Sequence, residues 1–182
     1  ISTVPGNVLD WSKYVIKNFY FKEPVLSFRK HTVNDEDGKT IVTIIPNIRF
    51  SPKYYFYNDS EMIFYAALKN SKELIKMEFI IYNQREEKVA VVKNRPIYQM
   101  TQLFKEYIVL YNGNQFDVKS TAAFKEFNIY NSDKELVVTG KRISSFFSHV
   151  MERRNFKIDI KKETDVNIFL WIAIVKGMTE LF

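Results

Sequence analysis

The chain contains no cysteine, only two histidines, and five each of glycine and proline among its 182 residues. The absence of cysteine excludes disulfides, thiolate nucleophiles and Cys-ligated zinc. Few Gly and Pro residues, together with 46% hydrophobic and 16% aromatic content, exclude a disordered or low-complexity chain. No apolar run reaches the roughly twenty residues that a membrane-spanning helix needs. The length therefore predicts a single folded domain with a substantial core.

Motifs for common enzymatic chemistry are also missing. The sequence has no P-loop, no G-x-G-x-x-G and no G-x-S-x-G, and we expect His31 and His149 to be solvated or locally hydrogen-bonded. The acidic stretch Asn34–Thr40 (NDEDGKT) lacks the remaining spacing of a calcium loop and is typical of a Gly-containing hairpin turn. These observations predict a protein that is not an enzyme and that holds no metal or cofactor.

One sequence pattern recurs along the chain: a predicted strand ending in Tyr-Asn, a polar turn and a second strand. It is clearest in Lys53–Lys69, Met77–Lys93 and Lys125–Lys141, and looser in Arg29–Ile45 and Glu106–Ala122. Asn tolerates left-handed backbone angles and bonds its own backbone, which suits a turn. The turn asparagines are Asn34, Asn58, Asn83, Asn112 and Asn131. Their irregular spacing indicates successive hairpins in one sheet rather than a solenoid.

The strands themselves show a dry face and a wet face. In Asn155–Lys162, Phe156, Ile158 and Ile160 alternate with Lys157, Asp159 and Lys161. Ten or more such strands predict an antiparallel sheet that closes on itself or folds over, because long open edges invite aggregation.

The last segment has a different pattern. An unbroken apolar run, Ile168–Val175, follows Asp165 and Asn167, either of which could be an N-cap, and precedes a Lys-Gly pair that could end a helix. A helix that is apolar all round should be buried on all sides. We therefore predict a helix over 166–178 inside a closed barrel, although periodicity also allows a central strand.

These features resemble a known superfamily. The hairpin "IYNSDKELVVTG" (Ile129–Gly140), the strand "FKIDI" and the terminal "NIFLWIAIV" are similar to the tubby C-terminal-like superfamily, which includes tubby, the phospholipid scramblases and the LURP-one-related proteins. The likeness covers roughly Val25–Phe182 and points to a small bacterial LURP-one-related protein. It implies a mainly β fold, a closed antiparallel barrel of about twelve strands around a central hydrophobic helix. Members of the superfamily bind phosphoinositides or associate with membranes. The calcium-binding, Cys-rich and Pro-rich segments of scramblases have no counterpart here, so calcium-driven scrambling is not implied.

We predict that residues 1–24 form an N-terminal segment separate from the barrel, which spans residues 25–182. A helix ending at Pro24 would bring together four apolar side chains, Val8, Trp11, Val15 and Phe19. Such a segment either caps the barrel or lies on an anionic membrane. The chain opens without Met or a signal pattern, so residues upstream of Ile1 could have been removed.

Basic residues give the candidate site. We predict that the stretch Ile143–Arg154, which is a short helix or a loop, brings cations at its end together with cations on either side of it at a barrel rim, where they bind anionic lipid: Lys141, Arg142, Arg153, Arg154 and Lys157. The net charge of +6 agrees with an anionic partner, and equally with simple solubility. The predicted protein is a non-enzymatic module that binds membrane lipid or a protein, not nucleic acid, and is cytoplasmic with peripheral membrane association. The alternative is a lipocalin-like carrier of lipid or a small ligand, which would require an empty lumen.

Overall fold

The computed structural model of the protein describes residues 18–24, 29–70, 77–95, 104–121, 124–143 and 152–181. Its strands close into one antiparallel barrel in the order β1-β12-β11-β10-β9-β8-β7-β6-β5-β4-β3-β2. The strands are β1 (Asn18–Pro24), β2 (His31–Asn34), β3 (Thr40–Asn47), β4 (Lys53–Asn58), β5 (Glu61–Asn70), β6 (Met77–Tyr82), β7 (Lys88–Asn94), β8 (Phe104–Tyr111), β9 (Asn114–Thr121), β10 (Glu126–Tyr130), β11 (Leu136–Arg142) and β12 (Glu152–Ile160). The predicted mainly β, closed twelve-stranded barrel is confirmed.

Asparagine builds two of the tight turns in the way its chemistry predicts. Asn83 Oδ1 accepts hydrogen bonds from the backbone N–H groups of Arg85 and Glu87, at 2.9 and 3.0 Å. Asn131 does the same two hairpins later. In the first hairpin this acceptor is Asp35, so the prediction that Asn34 fills the position is wrong by one residue.

The other two turns are shorter. Asn58 pairs with Glu61 across a two-residue turn, and Asn112 and Gly113 occupy the next with φ of 48° and 76°. Left-handed angles at both central residues are what a tight hairpin of this twist requires, and Asn-Gly supplies them at low cost. All five turns lie at the same end of the barrel, which we call the turn end. We call the opposite end, where β3 passes into β4 through residues 48–52, the loop end.

The terminal apolar run is helix α1 (Ile168–Leu181), and every residue from Ile168 to Thr179 is buried. Asn167 is the N-cap, since its Oδ1 accepts from the Leu170 backbone N–H at 2.8 Å. The helix enters at the turn end and fills the lumen, so the strand alternative is wrong and the carrier hypothesis loses the empty cavity that it requires.

The predicted end of the helix at 178 is three residues short. Gly177 does not end the helix, which continues to Leu181. The glycine instead leaves room for the ring of Phe79, which lies only 2.5 Å from where a Cβ would stand. A glycine here permits close approach between helix and wall.

The predicted boundary at residue 24 also needs correction. Asn18–Pro24 is a strand, not the end of a helix, and it closes the barrel by pairing with β12 and β2. Phe19 and Phe21 alternate into the core with no exposed surface. The remainder of the predicted amphipathic helix, residues 1–17, lies outside the described residues.

Candidate functional site

The predicted basic residues begin on β11 and β12. Their register places Lys141 directly opposite Lys157 and Arg142 opposite Phe156. Ile158 is wholly buried, and a Cβ at Gly140 would point at the core residue Phe127, so by alternation Lys141 and Lys157 face outward. Lys22 of β1 is exposed on the same face, on the diagonal from Lys157. We call Lys22, Lys141 and Lys157 the basic strip. Arg142 is also exposed, but it follows Lys141 at the end of β11 and lies on the alternate side of that strand.

Backbone hydrogen bonds hold this strip beyond the regular ladder. The Arg142 N–H donates to the Lys125 carbonyl at 2.7 Å, and the Ile143 N–H donates to the Asn155 carbonyl at 2.8 Å. Gly140 lets β11 pass close to the core, because a Cβ there would lie 2.2 Å from the Phe127 ring. The strand positions are therefore fixed by the barrel wall rather than by the lysines.

The other two predicted site residues lie at the start of the same strand. Arg153 and Arg154 belong to β12, and Arg154 pairs with Glu23 of β1. Their side chains are outside the described set, as are residues 144–151, including His149. The structure thus places Lys141 beside Lys157 and adds Lys22, which sequence reasoning missed, while Arg142 is exposed at the end of β11 on the alternate side of the strand.

Two acidic residues, Asp159 and Glu126, lie close to the strip in the described structure. Lys157 Nζ lies 4.0 Å from Asp159 Oδ1, a distance at the limit of an ion pair. Lys157 and Asp159 remain 42% and 30% exposed, so water screens their attraction. The register brings Glu126 opposite Lys141 on the other side.

A second feature that the sequence did not reveal is the loop between β3 and β4. Asn47 and Lys53 form the last pair, and Phe50 at the middle of the loop is completely exposed, with Ile48 49% exposed. The available signal was an apolar–basic–aromatic triplet (Ile48–Phe50) between two prolines, outside any alternating pattern.

Polar groups also meet inside the barrel near the loop end. Lys176 of α1 is wholly buried, and its Nζ lies 2.6 Å from Glu180 Oε1 and 3.5 Å from Glu23 Oε1. The Tyr54 hydroxyl donates to Glu180 Oε2 at 2.8 Å, and the ring of Tyr54 lies 5.1 Å from the same ammonium. These contacts hold the helix against β1 and β4. We call Lys176, Glu180, Glu23 and Tyr54 the polar anchor of α1.

His31 lies beside this anchor. Its Nδ1 is 2.6 Å from the Arg29 carbonyl, so that nitrogen carries the hydrogen and donates it. Burial, with Lys176 as the second cause, lowers the pKa of His31 to about 3. The prediction of a locally hydrogen-bonded histidine holds for His31, but this histidine is buried rather than solvated. A ring with this lowered pKa is uncharged near neutral pH.

An ion-pair network lines a surface groove of about 410 Å³ on β8, β9 and β10. Arg95 pairs with Asp117 and lies 2.9 Å from Glu106, while Lys134 Nζ lies 3.1 Å from Asp117. Burial raises the pKa of Asp117, but hydrogen bonds from Gln115 and Lys134 and the charge of Arg95 lower it below its usual range. A carboxylate held ionised by this many donors is a poor general base.

Within the described parts of the chain, no helix has the length and apolar character needed to cross a bilayer.

Comparison with known proteins gives a family match and a structural match. The family model for LURP-one-related proteins matches residues 12–176. The fold is similar to the X-ray structure of a protein from Arabidopsis thaliana, with a TM-score of 0.60 and 12% sequence identity over 96% of this chain and 97% of that one. At this identity the likeness concerns the fold alone. Comparison with curated proteins gives no match.

Proposed function

Because the chain belongs to the LURP-one-related family, we propose that it is a non-enzymatic barrel that binds anionic lipid at a membrane surface through the basic strip. We further propose that it does so as a peripheral protein on the cytoplasmic side. The fold provides a rigid wall, and the strip provides a concentrated positive charge on that wall.

The observation that carries the proposal is the direct opposition of Lys141 and Lys157. Like charges facing each other across two strands destabilise a sheet. Lys22 on the diagonal adds a third charge of the same sign. An anionic surface would convert this repulsion into attraction, since each cation near an anionic leaflet contributes about 1 kcal/mol.

Vesicle co-sedimentation tests the proposal. We expect the protein to bind phosphatidylglycerol-rich vesicles and not neutral phosphatidylcholine vesicles, and binding to weaken as salt shortens the range of the attraction. The triple variant Lys22→Ala, Lys141→Ala, Lys157→Ala should bind about a hundredfold more weakly at low salt, at about 1 kcal/mol for each cation.

A matched control removes three cations from the turn end: Lys39→Ala, Arg85→Ala, Lys88→Ala. It changes the net charge equally, so a nonspecific charge effect would weaken binding to the same extent in both variants. Equal losses, or no binding of the unmodified protein to anionic vesicles, would contradict the proposal. In the second case a protein partner, sought by pull-down on the same strip, becomes the next hypothesis.

A further inference from the structure

Exposed apolar side chains are concentrated at the loop end. Of the large hydrophobic residues that the described structure leaves exposed, Ile48, Phe50, Met77 and Ile143 lie there. Single exposed hydrophobic residues are ordinary on a protein surface. Several at one end of a barrel, including a phenylalanine with no shielding at all, point to a surface that is covered when the protein acts.

The loop that carries Phe50 is held in place on both sides. Asn47 Oδ1 lies 3.5 Å from the Arg49 backbone nitrogen, and the Pro52 carbonyl accepts from the Leu68 N–H at 3.1 Å. The fixed φ of Pro52 further limits the conformations open to the loop. Phe50 is therefore presented outward by a supported loop.

Charge is divided between the two ends of the barrel. At the loop end, exposed cations outnumber the acids, which are Glu23, Glu78, Glu106, Glu126 and Glu180; the cations are Arg29, Lys30, Arg49, Lys53, Lys69, Lys125, Lys141 and Arg142. In the five tight turns the balance is reversed. Their acids, which outnumber the cations Lys39, Arg85, Lys88 and Lys134, are Asp35, Glu36, Asp37, Asp59, Glu61, Glu86, Glu87, Asp133 and Glu135. An anionic surface would attract the loop end and repel the turn end.

We propose that the barrel docks on an anionic membrane with its loop end first and that Phe50 and Ile48 enter the headgroup region of the leaflet. This inference rests on the proposed function, and adds to it an orientation and an apolar contact. The basic strip on β11, β12 and β1 and the loop between β3 and β4 are separated only by β2 in the barrel order. Both can therefore meet one plane.

The arrangement favours a lipid surface over a folded protein partner. The exposed apolar residues sit on separate strand ends and loops, at 48–50, 77 and 143, with cations such as Arg49 and Lys53 between them. A protein interface concentrates its apolar residues in one packed central patch. A bilayer accepts scattered apolar insertions while its anionic headgroups neutralise the intervening cations.

A site-specific fluorophore tests the orientation, because a chain without cysteine accepts one label at one introduced thiol. We would label Phe50→Cys with an environment-sensitive dye and compare it with Ser60→Cys, an exposed position in a turn-end hairpin. On phosphatidylglycerol-rich vesicles we expect a blue shift and protection from an aqueous quencher at position 50, and neither at position 60. Both positions are exposed, so neither substitution disturbs the core.

Affinity gives the second readout. Phe50→Ser should bind these vesicles about tenfold more weakly, equal to about 1.4 kcal/mol for partial burial of the ring. Leu136→Ser, at an exposed apolar position near the turn end, should leave binding unchanged. If vesicles bind with full affinity to Phe50→Ser and the dye at 50 does not shift, the insertion is refuted while the basic strip keeps its role. If the unmodified protein binds no anionic vesicle, both proposals fail.

Discussion

The buried histidine makes the stability of the barrel depend on pH in a calculable way. The ring of His31 is 3% exposed and packs edge-on against Phe21 with ring centroids 6.5 Å apart. Replacing it by Phe in the variant His31→Phe keeps an aromatic ring in the site but removes the titrating group. The variant also loses the hydrogen bond to the Arg29 carbonyl. This loss lowers its free energy of unfolding by about 1 kcal/mol at every pH.

The direction of the pH effect follows from the lowered pKa. The pKa of His31 falls from 6.5 to about 3 in the folded protein, chiefly through burial. The folded state then binds fewer protons than the unfolded state between these values. The stability contributed by the neutral ring is complete above pH 6.5 and is lost as the pH falls through this window. The loss amounts to about 2 kcal/mol at pH 5 and about 3 kcal/mol at pH 4.

Urea denaturation at pH 7, 6, 5 and 4 measures this effect in both proteins. Other groups titrate in both, so the difference between their profiles isolates His31. We expect the unmodified protein to lose about 2 kcal/mol more than His31→Phe between pH 7 and 5. Parallel stability profiles for the two proteins would refute the reasoning. So would an NMR titration in which the His31 ring resonance, assigned by its absence from His31→Phe, shifts with a midpoint near pH 6.5.

Three further changes probe the packing, each measured as the free energy of unfolding in urea. Lys176→Met leaves the buried Glu23 and the partly buried Glu180 without their cation and should cost about 3–5 kcal/mol. Neutralising both carboxylates as well should restore most of that loss, and a loss below about 1 kcal/mol for Lys176→Met alone would contradict the anchor. Gly140→Ala drives a methyl group into the Phe127 ring and should cost about 1–3 kcal/mol, and a neutral result would mean that the ring moves freely. Asn131→Ala should cost about 1 kcal/mol through its lost turn hydrogen bonds. Asn131→Asp keeps the two acceptor bonds but loses the bond that Asn131 Nδ2 donates to Glu135, and it places two carboxylates together, so it should also destabilise the turn, by about 1 kcal/mol or less.

Local chemistry explains why the hairpins were predictable. A turn asparagine forms its bonds within four residues, as Asn83 does, so a short window of sequence contains the whole cause. The core faces of strands are equally local, because Phe156 and Ile158 alternate with polar residues. Closure into a barrel was predictable for two reasons. The strands were too many for an open sheet, and only a closed barrel could bury a terminal helix that is apolar on all sides.

The errors arose where distant residues decide the outcome. Lys176 looked like the end of a helix, yet Glu23, a residue of the first strand, helps to make its burial tolerable. Phe19 fitted a helical spacing, but its pairing with Ile158 of β12 makes it part of a strand. Neither partner can be recognised from the local pattern.

The candidate site was predictable only in part. Clustered cations in the sequence indicated the region around Lys141 and Lys157, but their direct opposition depends on the register between β11 and β12. Lys22 joins them only because the barrel closes. Exposure of Phe50 is likewise a tertiary property, since an aromatic residue next to a strand is more often buried than exposed.

Filling the lumen with the final helix has a consequence for synthesis on the ribosome. β1 pairs with β12 through Asn18 and Asp159, so the first strand waits for almost the whole barrel to be made before it finds this partner. The helix that covers the inner faces emerges later still. During translation, a curved sheet lined with phenylalanine has nothing to enclose, and its two edges remain unpaired. Such long-range closure folds slowly and leaves aggregation-prone surfaces exposed. We therefore expect the nascent chain to expose apolar surface until Leu181 has emerged.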